Sequence, residues 1–279
     1  MIHPAQASKK RPVYKTDEEV ELLRASCLLV CEVLAHIGSV IKPGITGARL
    51  DREAEQLIRD HGAVPGFKGL YDFPATLCIS INEGVVHGVP STYEFQDGDI
   101  VSIDCGTYMN EFYGDAAYTF AIGNVKEATM ELLRVTKTAL YKGIEQAIVG
   151  KRVGDISYAI QSYCEKEHKY GVVRELVGHG VGKKLHEPPE VPNFGRRGKG
   201  AILRDGLVIA IEPMVNLGKK DVRQSSDRHT IVTRDKKPSA HFEHTVAVRK
   251  DKADILSNHD KVEYNIKNNP EVREVSIKS

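Results

Sequence analysis

Four carboxylates stand where a soluble fold rarely places them. Asp104 closes the run Ile100-Val101-Ser102-Ile103, and Asp115 follows Gly114 and precedes Ala116-Ala117. Glu212 ends Leu207-Val208-Ile209-Ala210-Ile211, and Glu243 lies between Phe242 and His244 ahead of Thr245-Val246-Ala247-Val248. Flanks of this kind belong to buried strands. A carboxylate carried inside must be neutralised, paired or bound to metal. Backbone N–H groups or an arginine could satisfy any one of them; for all four together that explanation is strained. Gathered in one cleft, they would raise one another's pKa values unless cations were present, and two divalent ions cancel four negative charges.

The elements around these residues recur in two rounds. Thr16 and Glu19 fit a capping box. Behind them Leu22, Leu23, Ser26, Leu29, Val30, Val33, Leu34 and Ile37 repeat with helical spacing, until Lys42-Pro43-Gly44 stops the pattern. A second helix is predicted over residues 46–61, with Leu50, Ala54, Leu57 and Ile58 inward. Short β-branched strands follow at 77–81, 99–104 and 117–122. The second round predicts helices over 126–149 and 155–168, then strands at 172–177, 207–211 and 242–248. Helix, glycine turn, helix and strands, twice over, predict an α+β fold of two pseudo-symmetric halves sharing one sheet system. The expected organisation is an N-terminal segment (1–16), a single domain (17–250) and a polar C-terminal extension (251–279). That extension is charged apart from Ile255-Leu256 and residues 262–266, and the sequence leaves its conformation open.

Composition excludes several classes. Lys+Arg 39 against Asp+Glu 38 gives a net charge of +1, so no overall field favours nucleic acid or an anionic membrane. The longest apolar stretch, residues 25–40, is broken by Glu32 and His36 and is too short to span a bilayer. No apolar segment follows Lys9, Lys10 and Arg11, so a secretory signal is not expected and the cytoplasm is the expected compartment. Five cysteines without a C-x-x-C pair argue for reduced, buried thiols. Neither Cys78 nor Cys105 has an electropositive neighbour in sequence to make it a nucleophile.

Histidines add to the acidic set. Gly178-His179-Gly180-Val181-Gly182 frames an imidazole with residues that let backbones approach closely, and His186-Glu187-Pro188 follows. His87 stands directly before Gly88 in Asn82-Glu83-Gly84-Val85-Val86-His87-Gly88-Val89-Pro90.

Taken with Ser102-Ile103-Asp104, Gly114-Asp115, Ile211-Glu212-Pro213 and Phe242-Glu243-His244-Thr245, these motifs resemble the type I methionine aminopeptidases. The likeness runs from about Asp17 to Arg249. It implies a pita-bread fold, with helices packed outside a curved, mostly antiparallel sheet. It also implies a dinuclear site: Asp115 and Glu243 as bridging ligands, Asp104 completing one position, and His179 with Glu212 completing the other. Four carboxylates and one imidazole suit Mn²⁺, Fe²⁺ or Co²⁺. Two such ions sharing a hydroxide can aim it at a carbonyl, and binding the substrate's free α-amine there restricts cleavage to the N-terminus.

By motif position Glu212 is also the proton acceptor. His186 would donate to the scissile carbonyl, and His87 would contact the amide nitrogen and help protonate the leaving amine. Phe67, Leu70, Phe73, Cys78 and Leu185 occupy the positions of the apolar methionine slot. Family tyrosines near Leu70 and Phe73 are missing, and His229 takes the place of a rim tryptophan. Asn82 and Ser239 match a monovalent-cation site. The implied reaction is removal of the initiator methionine of nascent chains when the second residue is small; with Ile2, this chain would keep its own Met1.

A monomer is expected, without membrane or sequence-specific nucleic-acid partners. Transient ribosome contact would fall on Lys183, Lys184, Arg196, Arg197, Lys199, Lys219 and Lys220, although near-zero net charge favours a solvated face. Two other functions compete: a proline-specific peptidase of the same fold, and a non-catalytic pita-bread binding protein. The latter typically loses metal ligands, whereas all five positions are filled here.

Overall fold

Helix α1 (Asp17–Val40) starts at the predicted capping box in the computed structural model, which describes residues 11–277. The Glu19 N–H donates to Thr16 Oγ1 (3.3 Å) and the Thr16 N–H to Glu19 Oε2 (3.1 Å), satisfying two donors that a helix start leaves unpaired. Lys9, Lys10 and the Met1-Ile2 start lie outside the described residues. The buried stripe of α1 runs through Leu23, Val30, Val33, Leu34 and Ile37 and lies across strands Ile100–Met109 and Phe112–Ile122. Leu22 does not join it: one residue before Leu23, it is turned about 100° away and is 39% exposed. Helix α2 (Gly47–Asp60), capped by Thr46, buries Leu50, Ala54 and Ile58.

The first-half sheet carries strand Leu77–Ile81 against Ile100–Met109, which pairs in turn with Phe112–Ile122. The last two strands are longer than predicted. Asn110 and Glu111 both adopt positive φ (53° and 65°), which closes a two-residue hairpin and lets the ladder run to Met109↔Phe112. Gly114 sits where this hairpin touches α1; a Cβ there would lie 2.4 Å from the carbonyl carbon of Ser26, so only glycine permits the close packing.

The second round opens with α3 (Glu127–Ile144), which ends before the predicted Val149. Past Ile144 the backbone turns to pair elsewhere: the Val149 N–H donates to Arg249 O and the Gly150 N–H to Leu203 O. Helix α4 (Val153–Gln161) begins two residues earlier than predicted and finishes in a π-turn, Ser162–Glu167. The strand predicted over 172–177 shrinks to Gly171–Val172, because its partner Met214–Asn216 runs out opposite Val173. The second-half sheet orders His244–Ala247, Val208–Ile211, Gly178–Gly180 and Glu187–Val191, and every strand ladder in the described residues is antiparallel.

The halves are stitched along one seam. The Glu243 N–H donates to Ala117 O (3.0 Å), and Thr245 Oγ1 donates to Asp115 O (2.8 Å). Two acidic residues more than a hundred positions apart in the chain therefore share a floor.

Residues beyond Arg249 pack onto this frame. Asp254–Ile255 adds to strand His244–Ala247, α5 (Asp260–Lys267) lies on α1, and Val272–Arg273 covers the edge of Phe112–Ile122. Asn269 Nδ2 donates to Gly38 O and Ile41 O (2.9 Å each), capping carbonyls that the end of α1 leaves open. Buried Lys137 fixes the far end, donating to Val275 O and pairing with Glu263 Oε1, both at 2.7 Å.

Candidate metal centre

Adjacent strands set the first two carboxylates. Asp104 lies opposite Ala117 and Asp115 opposite Gly106, so the two acids are diagonal neighbours on one sheet face. Glu243 arrives across the seam, and Glu212 stands just past the end of strand Val208–Ile211, where its carbonyl accepts from Asn193 Nδ2 (2.9 Å). Asp115 and Glu243 are 3% and 2% exposed, while Asp104 and Glu212 keep a little access from the cleft.

His179 completes the group from strand Gly178–Gly180. Its Nε2 is 3.6 Å from both Asp115 Oδ2 and Glu212 Oε1. Nδ1 lies 3.0 Å from Gly180 O; an N–H donated there leaves the Nε2 lone pair facing the carboxylates. Burial lowers the His179 pKa to about 4, so the ring is neutral near pH 7 and able to ligate. One atom each from Asp115, His179 and Glu243 lies within 4.8 Å of the others, the separation of donors around a common cation.

The electrostatics agree with that use. Asp104 Oδ1, Asp115 Oδ1 and Glu243 Oε1 are buried without a hydrogen-bond partner. Burial is the main reason that all four acids hold their protons tightly. The Asp104 carboxyl rises to about 7 and Glu212 to about 8; Asp115 and Glu243 are lifted well above the carboxylate range, with repulsion from the other acids adding to burial. Orphaned oxygens and mutual repulsion are what a cation relieves, so the donor set fits a divalent metal.

A pH dependence follows. In the unfolded chain these acids ionise near pH 4, whereas the metal-free fold keeps their protons to pH 7–8. That proton-linked stability is complete below about pH 4 and is lost as pH rises through the folded pKa values. A metal competes with the same protons, so its stabilising effect grows over that window, by about 1.4 kcal/mol per pH unit for each proton displaced. Thermal melts in fixed excess Mn²⁺ should show a larger rise in Tm at pH 8 than at pH 6; an equal or smaller rise would contradict the assignment.

The other predicted residues gather at the mouth. His87 takes φ +59° in the turn before Gly88, where a Cβ would fall 2.0 Å from Ile79 O, so the glycine fixes how close this turn approaches strand Leu77–Ile81. The His186 ring meets His179 edge-on at 4.4 Å, with Tyr71 stacked beyond it at 5.9 Å. Desolvation and the nearby His179 lower the His186 pKa to about 3. Phe67, Phe73, Cys78 and Leu185 form one apolar cluster with Ala75, and Leu70, Val89 and Tyr113 pack around it. His229 stands edge-on to Phe73 at 5.5 Å. Asn82 and Ser239 are neighbours, but their side chains are engaged: Asn82 with Asp99 and the Ile100 N–H, and Ser239 with Asn216. All five cysteines are buried and unpaired.

One buried group at the centre has no counterpart among the predicted residues. His241 Nε2 lies 3.5 Å from Glu212 Oε2. Its spacing gave a usable signal, since it precedes Glu243 by two positions at the end of a β-rich segment, where alternate residues tend to share a face.

Comparison with known proteins gives this geometry a context. The profile of metallopeptidase family M24 matches residues 21–250. A methionine aminopeptidase of Clostridium perfringens is 51% identical over 245 residues, covering 88% of this chain and 98% of that one. The crystal structure of methionine aminopeptidase from Rickettsia prowazekii superposes with a TM-score of 0.87 at 39% identity, covering 89% of this chain and all of that one. The prolidase of Pyrococcus horikoshii shares the fold at 21% identity and a TM-score of 0.72, covering 89% of this chain and 64% of its own. The architecture is the pita-bread fold that the sequence motifs implied.

Proposed function

Because the chain belongs to metallopeptidase family M24, we propose that it removes N-terminal methionine from peptides and nascent proteins in a metal-dependent hydrolysis. The observation that carries this reading is the set of buried, unpartnered oxygens on Asp104, Asp115 and Glu243, gathered where Asp115, His179 and Glu243 each bring a donor atom within 4.8 Å of the others. Asp104, Asp115, His179, Glu212 and Glu243 would hold two divalent ions. Such ions, when bound, supply a Lewis acid that polarises a carbonyl and lowers the pKa of water.

The chain's own groups do the rest. Glu212 accepts the proton of the attacking water. Neutral His186 donates an N–H to the scissile carbonyl oxygen, and its lowered pKa keeps it a hydrogen-bond donor rather than a charge. His87, at the mouth, contacts the amide nitrogen and helps protonate the leaving amine. The Phe67, Leu70, Phe73, Cys78 and Leu185 cluster receives the methionine side chain, whose unbranched thioether suits a slot with an aromatic wall. Preference for a small second residue is part of the same proposal.

Branching is the cheapest probe of that slot. One misplaced methyl in an apolar pocket is worth about 10–200-fold in kcat/KM. Met-Ala-Ser should therefore be cleaved at least about tenfold faster than Leu-Ala-Ser; equal rates would remove the methionine slot from the account. Release of methionine from Met-Ala-Ser that disappears with a chelator and returns with Mn²⁺, Co²⁺ or Fe²⁺ tests the whole reading. Cleavage of Xaa-Pro peptides instead would make the protein a proline-specific peptidase, and metal binding without any cleavage would favour the non-catalytic alternative.

Ribosome contact finds little support in the surface. Lys183 pairs with Glu111 at 3.0 Å and Lys220 with Asp221 at 3.1 Å, the arrangement of a solvated face.

A further inference from the structure

One buried histidine beside the acidic floor stands outside the proposed ligand set. His241, the last residue of strand Ser239–His241, is 1% exposed, and its Nε2 has no hydrogen-bond partner. The backbone beneath the ring is clamped. Thr119 Oγ1 donates to His241 O (2.6 Å) and accepts the His241 N–H (3.0 Å), while Ser102 Oγ supports Thr119 at 2.8 Å. Two side chains from adjacent strands thus fix the backbone that carries this imidazole.

Glu212 lies between two rings. His179 Nε2 is 3.6 Å from Oε1, and His241 Nε2 is 3.5 Å from Oε2. The two rings differ in what holds them. His179 has Gly180 O within reach of Nδ1, the arrangement that frees Nε2 as a lone pair for a cation. An Nε2–H on His241 would instead face a carboxylate oxygen, the acceptor that a buried donor needs. A separation of 3.5 Å is longer than a formed hydrogen bond, and contacts of this kind commonly tighten once a site is loaded.

Resting on the metallopeptidase reading, we infer that His241 is a positioning residue for Glu212. Its Nε2–H holds Oε2, so that Oε1 stays turned toward His179 and the carboxylate cannot swing out of line. The role predicts a dependence on the N–H donor itself rather than on the ring's volume.

Two substitutions separate those properties. His241→Gln keeps a side-chain N–H of similar reach, and His241→Leu fills much of the space without a donor. Mn²⁺ affinity and stoichiometry would be read by titration calorimetry, and kcat and KM on Met-Ala-Ser at saturating metal. His241→Leu should bind Mn²⁺ about 10–100-fold more weakly and lose kcat by a similar factor, with KM within about twofold and stoichiometry unchanged. His241→Gln should recover both to within about threefold of wild type. If His241→Leu does not fold, His241→Met, flexible enough to fit the space, takes its place in the comparison. Wild-type behaviour of the donorless variant would overturn the inference, as would a glutamine variant equally impaired. Loss of one metal equivalent at saturation would also overturn it, by making His241 a ligand. Failure of the wild-type protein to bind Mn²⁺ or cleave Met-Ala-Ser would instead count against the reading beneath it.

Discussion

Asp115→Asn and Glu243→Gln should each leave the protein folded, without tightly bound divalent metal, and slower on Met-Ala-Ser by more than about 1000-fold. That factor corresponds to about 4 kcal/mol of transition-state stabilisation. Both side chains are almost completely buried, and each carries an oxygen with no partner in the protein. An amide has nearly the same shape and no charge to offer a cation. The physical signature extends to the metal-free state. With one of four mutually repelling acids neutralised, the metal-free variants at pH 8 should melt a few degrees above metal-free wild type, even though they are nearly inactive. Metal analysis after dialysis, paired with thermal melts with and without Mn²⁺, checks both halves. A variant that melts higher yet still binds two equivalents would show that these oxygens do not hold the ions. A variant that melts lower would point to an unrecognised structural partner.

His87→Ala and His186→Ala should behave in the opposite way. Each should lower kcat by about 100–10,000-fold, the range for a positioned proton donor, while metal content stays at the wild-type value. Neither residue is among the buried groups on the acidic floor. His87 projects from a strained turn at the cleft mouth, and His186 borders the site at the edge of the His179 ring, at 4.4 Å between centroids. Metal analysis alongside steady-state kinetics separates the roles. Should either substitution strip metal, that histidine is a ligand; should kcat stay within about threefold, it is not part of the proton chemistry.

The contrast between these pairs was partly legible in the sequence. A carboxylate ending an apolar run is costly, and Asp104, Asp115, Glu212 and Glu243 stood out because nothing in their local sequence offset that cost. The capping box at Thr16 and the stop at Pro43 were equally plain, since both act over a few residues. What escaped depended on partners distant in the chain. Helix α3 ends at Ile144, and within a few residues its backbone is taken up by distant partners, the Val149 N–H by Arg249 O and the Gly150 N–H by Leu203 O. The hairpin gained length from left-handed Asn110 and Glu111, neither of them glycine. The polar C-terminal segment gave no amphipathic signal strong enough to dock it. Its docking combines two short strand pairings with single side chains, Asn265 and Asn269 on carbonyls of the α1 end and Lys137 on Val275. For His241 the sequence carries only the two-residue spacing from Glu243, and it is the fold that turns the ring toward Glu212.

Oxygens from four separated stretches of the chain are proposed to hold divalent ions together. The most direct measurement is an anomalous-difference map from crystals of the protein soaked in Mn²⁺ at pH 8. The account predicts two peaks enclosed by Asp104, Asp115, His179, Glu212 and Glu243, both absent from Asp115→Asn crystals soaked in the same way. An empty floor in the wild-type map, or manganese bound only outside those five residues, would contradict it.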